Sequence, residues 1–150
     1  MIFKYIFSII GDNFYPDRII DNIEGSFLVA SYFKPSDKKF ADKSDEYDYG
    51  GMSFWHPKKF STKDSIIEYD ESFIEFIEKN YSLFIANDVT DLQIFIEIYF
   101  DGGQCNFEIF DNVLLKKLAN FDVSLPISVY VLKEEELQKW EEEIRLNWEG

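Results

Sequence analysis

The stretch "IIGDNFYPDRII", residues 9–20, is where an alternating strand must stop and a different element must begin. Upstream of it, Phe3, Tyr5, Phe7 and Ile9 fall on one side of an extended chain, with Lys4, Ile6, Ser8 and Ile10 on the other. That two-residue period marks a strand with one buried face. Gly11 ends the pattern. Pro16 has the fixed dihedral suited to a first helical position, Asp17 sits where a helix dipole favours negative charge, and Ile19, Ile20 and Ile23 form a short apolar stripe. Phe14 and Ile19 are spaced as a hydrophobic staple around a helix start at Tyr15. The Gly-Asp pair therefore reads as a corner between strand and helix. Gly11 supplies backbone freedom and Asp12 can bond nearby amides, duties that need no substrate.

Outward from this corner the chain keeps alternating between strand and helix patterns. "SFLVASYFK" (residues 26–34) reads as a second strand closed by Pro35, and "PSDKKFADKSDEYDYGG" (35–51) as the longest loop. An aromatic strand, "MSFWHPKKF" (52–60), is stopped by Pro57. Residues 65–85 carry Ile66, Tyr69, Phe73, Ile77, Tyr81 and Phe84 at steps of three and four, the period of an amphipathic helix, with Glu68, Glu71, Glu75 and Glu78 facing water. "DLQIFIEIYF" (91–100) alternates cleanly. "DGGQ" then reads as a hairpin turn that sends "CNFEIF" (105–110) back antiparallel. Asp111 caps a short helix carrying Leu114, Leu115 and Leu118, with Phe110 and Leu115 as a second staple, and "LPISVYVL" (125–132) closes the sheet. The pattern predicts one α+β domain over residues 1–132, a mainly antiparallel sheet with helices on one face and strand-helix-strand units at both ends. Residues 133–150 form an acidic amphipathic helix with Leu137, Trp140, Ile144 and Trp148 on one stripe, expected to dock on the same domain.

Composition narrows the functions available. The 150 residues hold 46% hydrophobic and 19% aromatic side chains, ample material for one core. A formal charge of −14 repels phosphate backbones and anionic lipid headgroups, which argues against nucleic acid and membrane surfaces and favours a basic protein partner. Cys105 is alone, so no intrachain disulfide forms. The opening "MIFKYIFSII" is interrupted by Lys4 and Ser8 and is followed by no small-residue cleavage site, and no apolar run approaches a bilayer span. A cytoplasmic address follows as an expectation.

The inventory for chemistry is thin. His56 is the single histidine and has no second histidine or cysteine with which to build a zinc shell. Between Trp55 and Pro57 it reads as a packing residue. Cys105 has no basic neighbour to lower its pKa. Gly50-Gly51 and Gly102-Gly103 belong to no phosphate-binding fingerprint, and the cluster Asp45, Glu46 and Asp48 lacks the spacing of a calcium loop. No cofactor and no metal are expected. What remains is surface: with one sheet face on the helices, the other presents Lys4, Ser8, Phe95, Glu97, Tyr99, Ser128 and Tyr130, the mixture of aromatic and polar groups found in protein-binding patches. Glu97, Tyr99 and Tyr130, together with Asp45, Glu46 and Asp48, are the expected partner contacts. Gly11, Asp12, Phe14, Pro16, Trp55 and Asp111 are the expected structural positions.

The order of these motifs resembles the bacterial domain of unknown function family 4279. The resemblance runs over roughly residues 3–132, through "SIIGDNFYPDRI", "FWHP" and "NFEIFDNVLLKKLANFDVSLPISVYV". It rests on Gly11, Asp12, Phe14, Pro16, Ile19, Trp55, Leu114, Leu115, Leu118, Asp122 and Tyr130, and the C-terminal helix departs from it. It implies a compact α+β domain and brings no catalytic residues with it. By size, charge and lack of chemistry the chain is also similar to immunity proteins that neutralise bacterial toxins. The expected function is thus binding of a basic protein by a non-enzymatic domain, monomeric or weakly dimeric. The alternatives are a small-molecule sensor on the aromatic face, or an enzyme using His56 with a loop carboxylate such as Asp48.

Overall fold

A computed structural model describes residues 1–40, 44–104 and 108–149. Seven strands form one sheet: β1 (Ile2–Gly11), β2 (Leu28–Phe33), β3 (Gly50–Trp55), β4 (Ser61–Thr62), β5 (Asp91–Phe100), β6 (Val123–Ser124) and β7 (Ile127–Val131). Three α-helices accompany it, α1 (Ile66–Ala86), α2 (Asn112–Leu118) and α3 (Glu134–Glu149). The architecture is α+β. β1 is central, antiparallel to β5 on one edge and to β3 and β4 in succession on the other, and β2 extends the sheet beyond β3. β6 and β7 pair in parallel with the far edge of β5 and make the sheet mixed.

Alternation places the core. Phe3, Tyr5, Phe7 and Ile9 of β1 and Leu92, Ile94, Ile96 and Ile98 of β5 are buried beneath α1, whose Tyr69, Phe73, Ile77 and Phe84 meet them. The four glutamates foreseen on the outer side of α1 are exposed. α2 packs beside α1, and Asp111 caps it by accepting from the Val113 and Leu114 amides at 2.9 and 2.8 Å. Leu114 and Leu118 are buried, whereas Leu115 stays largely exposed. At the other end, Leu137 and Ile144 of α3 close over Ile2 from the opposite sheet face.

Three local expectations change. The Pro16 helix is not an α-helix but two 3-10 turns, Pro16–Arg18 and Ile20–Asn22, broken at Ile19. Phe14 and Ile19, five residues apart, are both fully buried in the main core, so the anchorage expected of a staple is kept without a continuous helix. Gly11 serves close approach and not unusual dihedrals, because a Cβ there would lie 2.0 Å from the Asp88 carbonyl oxygen, while Asp12 is exposed and caps nothing. Second, among the described residues no strand returns from β5 as a hairpin. Both its edges are already taken by β1 and by β6 and β7, so Glu108–Phe110 are not in a strand. Cys105 and the rest of 105–107 lie outside the described residues. Third, β2 is an exposed edge strand with a bulge at Ala30, so its alternation does not become burial.

One buried polar residue ties these parts together. The Asn80 side chain accepts from the Glu24 amide and donates to the Glu24 and Phe76 carbonyls, each at 2.8 Å, and so clamps the connection to β2 against α1. Asn80→Ala orphans both Glu24 backbone groups and should cost about 2–3 kcal/mol in denaturant unfolding, with the slope of the transition unchanged.

Candidate functional site

The sheet face opposite α1 is set by the register of five strands. Across it, Ile6 stands between Trp55 and Phe95, Ser8 between Ser53 and Gln93, and Lys4 beside Glu97. The Ser8 and Ser53 hydroxyls bond at 2.9 Å. Lys59 places its ammonium 4.4 Å from the Trp55 ring centre, a cation-π contact. No helix covers this middle region. Leu28 is exposed there, and the Ile6, Trp55 and Phe95 side chains are partly buried by their neighbours in the sheet.

Toward the start of β1 the face becomes polar and more enclosed. Lys4 pairs with Glu97 at 3.1 Å, and the Tyr99 hydroxyl donates to the same carboxylate at 2.8 Å. Tyr130 stacks on Tyr99 with ring centres 5.0 Å apart, and Trp140 of α3 meets Tyr99 edge-on at 5.1 Å. Burial and the Glu97 carboxylate raise the Tyr99 hydroxyl above its ordinary range. Glu97, Tyr99 and Tyr130 thus form one preorganised cluster, partly covered by α3.

Asp45, Glu46 and Asp48 do not join it. They are exposed on the loop before β3, beside a Phe33–Tyr47–Tyr49 aromatic stack and a Lys38–Glu46 bridge. That loop enters the sheet opposite Ile10 and Gly11, whereas Tyr99 pairs with Ile2. Eight residue steps of about 3.4 Å, or about 27 Å, separate the two along β1. They also sit at opposite edges of the sheet. The single patch expected from the sequence is therefore two surfaces.

His56 likewise lies apart from Asp48, with the six residues of β3 between them, about 20 Å of extended chain. Its ring stacks on Trp148 at 5.9 Å and meets Phe27 and Tyr69 edge-on. Nδ1 lies 3.0 Å from both the amide nitrogen and the carbonyl oxygen of Lys58, and burial lowers the pKa of the ring. His56 is a neutral aromatic packing residue here. Its titration midpoint followed by NMR should lie below 6.5. His56→Ala should lose about 1–3 kcal/mol of stability and alter the Trp148 fluorescence.

A second buried ionisable group escaped the sequence reading. Asp70 is 1% exposed on α1, and the Tyr5 hydroxyl, buried like the Asp70 Oδ1, interacts with that carboxyl outside strict hydrogen-bonding geometry. Burial pushes the Asp70 carboxyl up to about 8, with the Tyr5 hydroxyl opposing the rise and the Asp111 and Glu71 carboxylates adding to it. Asp70 lines a cleft of about 240 Å³ with Glu108 and Asp111 between α1 and α2. Its signal was present in the sequence: position 70 follows Ile66 by four and precedes Phe73 by three, where the helical stripe calls for an apolar side chain. Among the described residues, no three His, Cys, Asp or Glu side chains gather as metal ligands. No described helix is long and apolar enough to cross a membrane.

No family model matches the chain, and neither curated proteins nor solved structures provide a significant match.

The raised carboxyl has a definite pH signature. The unfolded chain loses this proton near 3.8 and the folded chain near 8, so the stability Asp70 contributes is complete below about pH 4 and falls as pH rises toward 8. Asp70→Asn removes this loss. The unfolding free energy of the variant minus that of the parent should grow steadily between pH 4 and 8, at up to about 1.4 kcal/mol per pH unit.

Proposed function

We propose that this chain is a protein-binding domain without catalytic duties, which uses its uncovered sheet face to hold a basic partner. The observation that carries this reading is the uncovered centre of the sheet, where Trp55 and Phe95 flank Ile6 on a rigid, doubly paired strand. Rigid aromatics of this kind lose little entropy on binding and make strong anchors. The Lys4–Glu97–Tyr99 group beside them offers fixed hydrogen-bonding geometry. A charge of −14, much of it on the exposed sides of α1 and α3, speeds encounter with a basic protein, and Asp45, Glu46 and Asp48 act at a distance as part of that steering field. Immunity-type neutralisation of a basic toxin domain is the form of this reading that suits a small acidic domain. Cytoplasmic residence and the resemblance to the uncharacterised α+β family belong to the same proposal.

The test is affinity capture from lysate of the source cell at low and moderate salt, with the parent protein and a Trp55→Ala/Phe95→Ala variant side by side. A basic protein retained by the parent, released by salt and weakened at least about tenfold by the double substitution is the expected result. Capture that ignores the double substitution, or no stoichiometric partner at either salt, overturns the proposal.

A further inference from the structure

The edge formed by β7 carries an inference independent of the partner-binding face. The Ile96 amide donates to the Pro126 carbonyl at 2.8 Å and the Leu132 amide to the Phe100 carbonyl at 2.8 Å. The backbone groups of the even-numbered residues between these points therefore face β5, and those of Ile127, Val129 and Val131 face outward. No hydrogen bond from a described residue reaches these outward amides and carbonyls. Their side chains share the α2 side of the sheet and are 51%, 52% and 67% exposed, with Leu115 of α2 at 45% beside them.

Free sheet edges are normally protected by a charge, a bulge or a proline within the strand. β2, the opposite edge, has its bulge at Ala30. β7 has none of these devices: residues 123–132, "VSLPISVYVL", contain no charged side chain, and Pro126 precedes the strand. On a chain of charge −14, ten uncharged residues in a row also mark where a second copy meets the least like-charge repulsion.

From these observations we infer that β7 pairs antiparallel with β7 of a second copy about a two-fold axis at Val129. The strand is self-complementary in that arrangement. Val129 meets Val129 of the other copy, and Ile127 meets Val131 on both sides of the axis. All three are positions whose backbone groups point outward, so the ladder closes with six hydrogen bonds. The same pairing brings six β-branched side chains into one apolar row, and it leaves Trp55 and Phe95 open for a partner.

Sedimentation of the untagged chain over a range of concentrations tests the inference. The expected result is a shift from 17.8 kDa to twice that mass, abolished by Val129→Lys with the circular dichroism spectrum and melting temperature of the monomer retained. Hydrogen exchange gives a readout that needs no substitution: the Ile127, Val129 and Val131 amides should gain protection as concentration rises. A chain that stays at 17.8 kDa with these amides exchanging freely at the highest concentration overturns the inference, and so does a dimer that survives Val129→Lys.

Discussion

The structure depends on β1 being hydrogen-bonded along both edges while only one of its faces is buried along its whole length. Antiparallel pairing with β5 from Ile2 to Ile10 fixes which residues of both strands share a face. A slip of one residue would turn Phe3, Tyr5, Phe7 and Ile9 to solvent and bring Lys4 and Ser8 under α1. The burial of aromatic rings against Phe73, Phe76 and Phe84 makes that slip prohibitive. The same register produces the open face, since whatever alternates away from α1 must appear there.

Where β1 lacks a strand partner, side chains take over. β3 ends opposite Ile6 and β4 begins opposite Phe3, which leaves an interval in the ladder. The Tyr69 hydroxyl occupies it, accepting from the Tyr5 amide at 3.2 Å and donating to the Lys59 carbonyl at 3.0 Å. The bulging segment from His56 to Phe60 is held from outside by α3, whose Trp148 stacks on His56 and donates to the Phe60 carbonyl at 2.8 Å. The C-terminal helix is thus part of the closure of the sheet. Buried hydrogen bonds to backbone groups of this kind are costly to lose, because each removal leaves an unsatisfied partner.

Function on such a scaffold is a matter of where charge and apolar surface lie relative to one another. The outer sides of α1 and α3 carry a large share of the acidic groups, while the uncharged surface divides between the sheet centre and the β7 edge. In the proposed binding role, long-range attraction and short-range adhesion would come from different parts of the molecule, a division of labour common in protein association. Glu97 is no free charge for a partner to meet, since Lys4 and Tyr99 already claim it.

The amino-acid sequence by itself determined every element whose period is strong: the alternation of β1 and β5, the three-four spacing of α1 and α3, and the Asp111 cap. Local sterics and the side-chain period suffice for those. Asp70 and Asn80 left a signal there too, as polar residues at apolar-stripe positions, but the period alone did not single them out. Pairing was another matter. That β6 and β7 take the far edge of β5, where a hairpin strand was expected, depends on competition among strands distant in the chain, which no local pattern encodes. The separation of Asp45, Glu46 and Asp48 from Glu97, Tyr99 and Tyr130 is likewise a property of register, and the need for glycine at Gly11 comes from the backbone of Asp88, 77 positions away. Only the tertiary structure decides such matters, because backbone hydrogen bonds and close contacts couple residues by distance in space and are indifferent to distance along the chain.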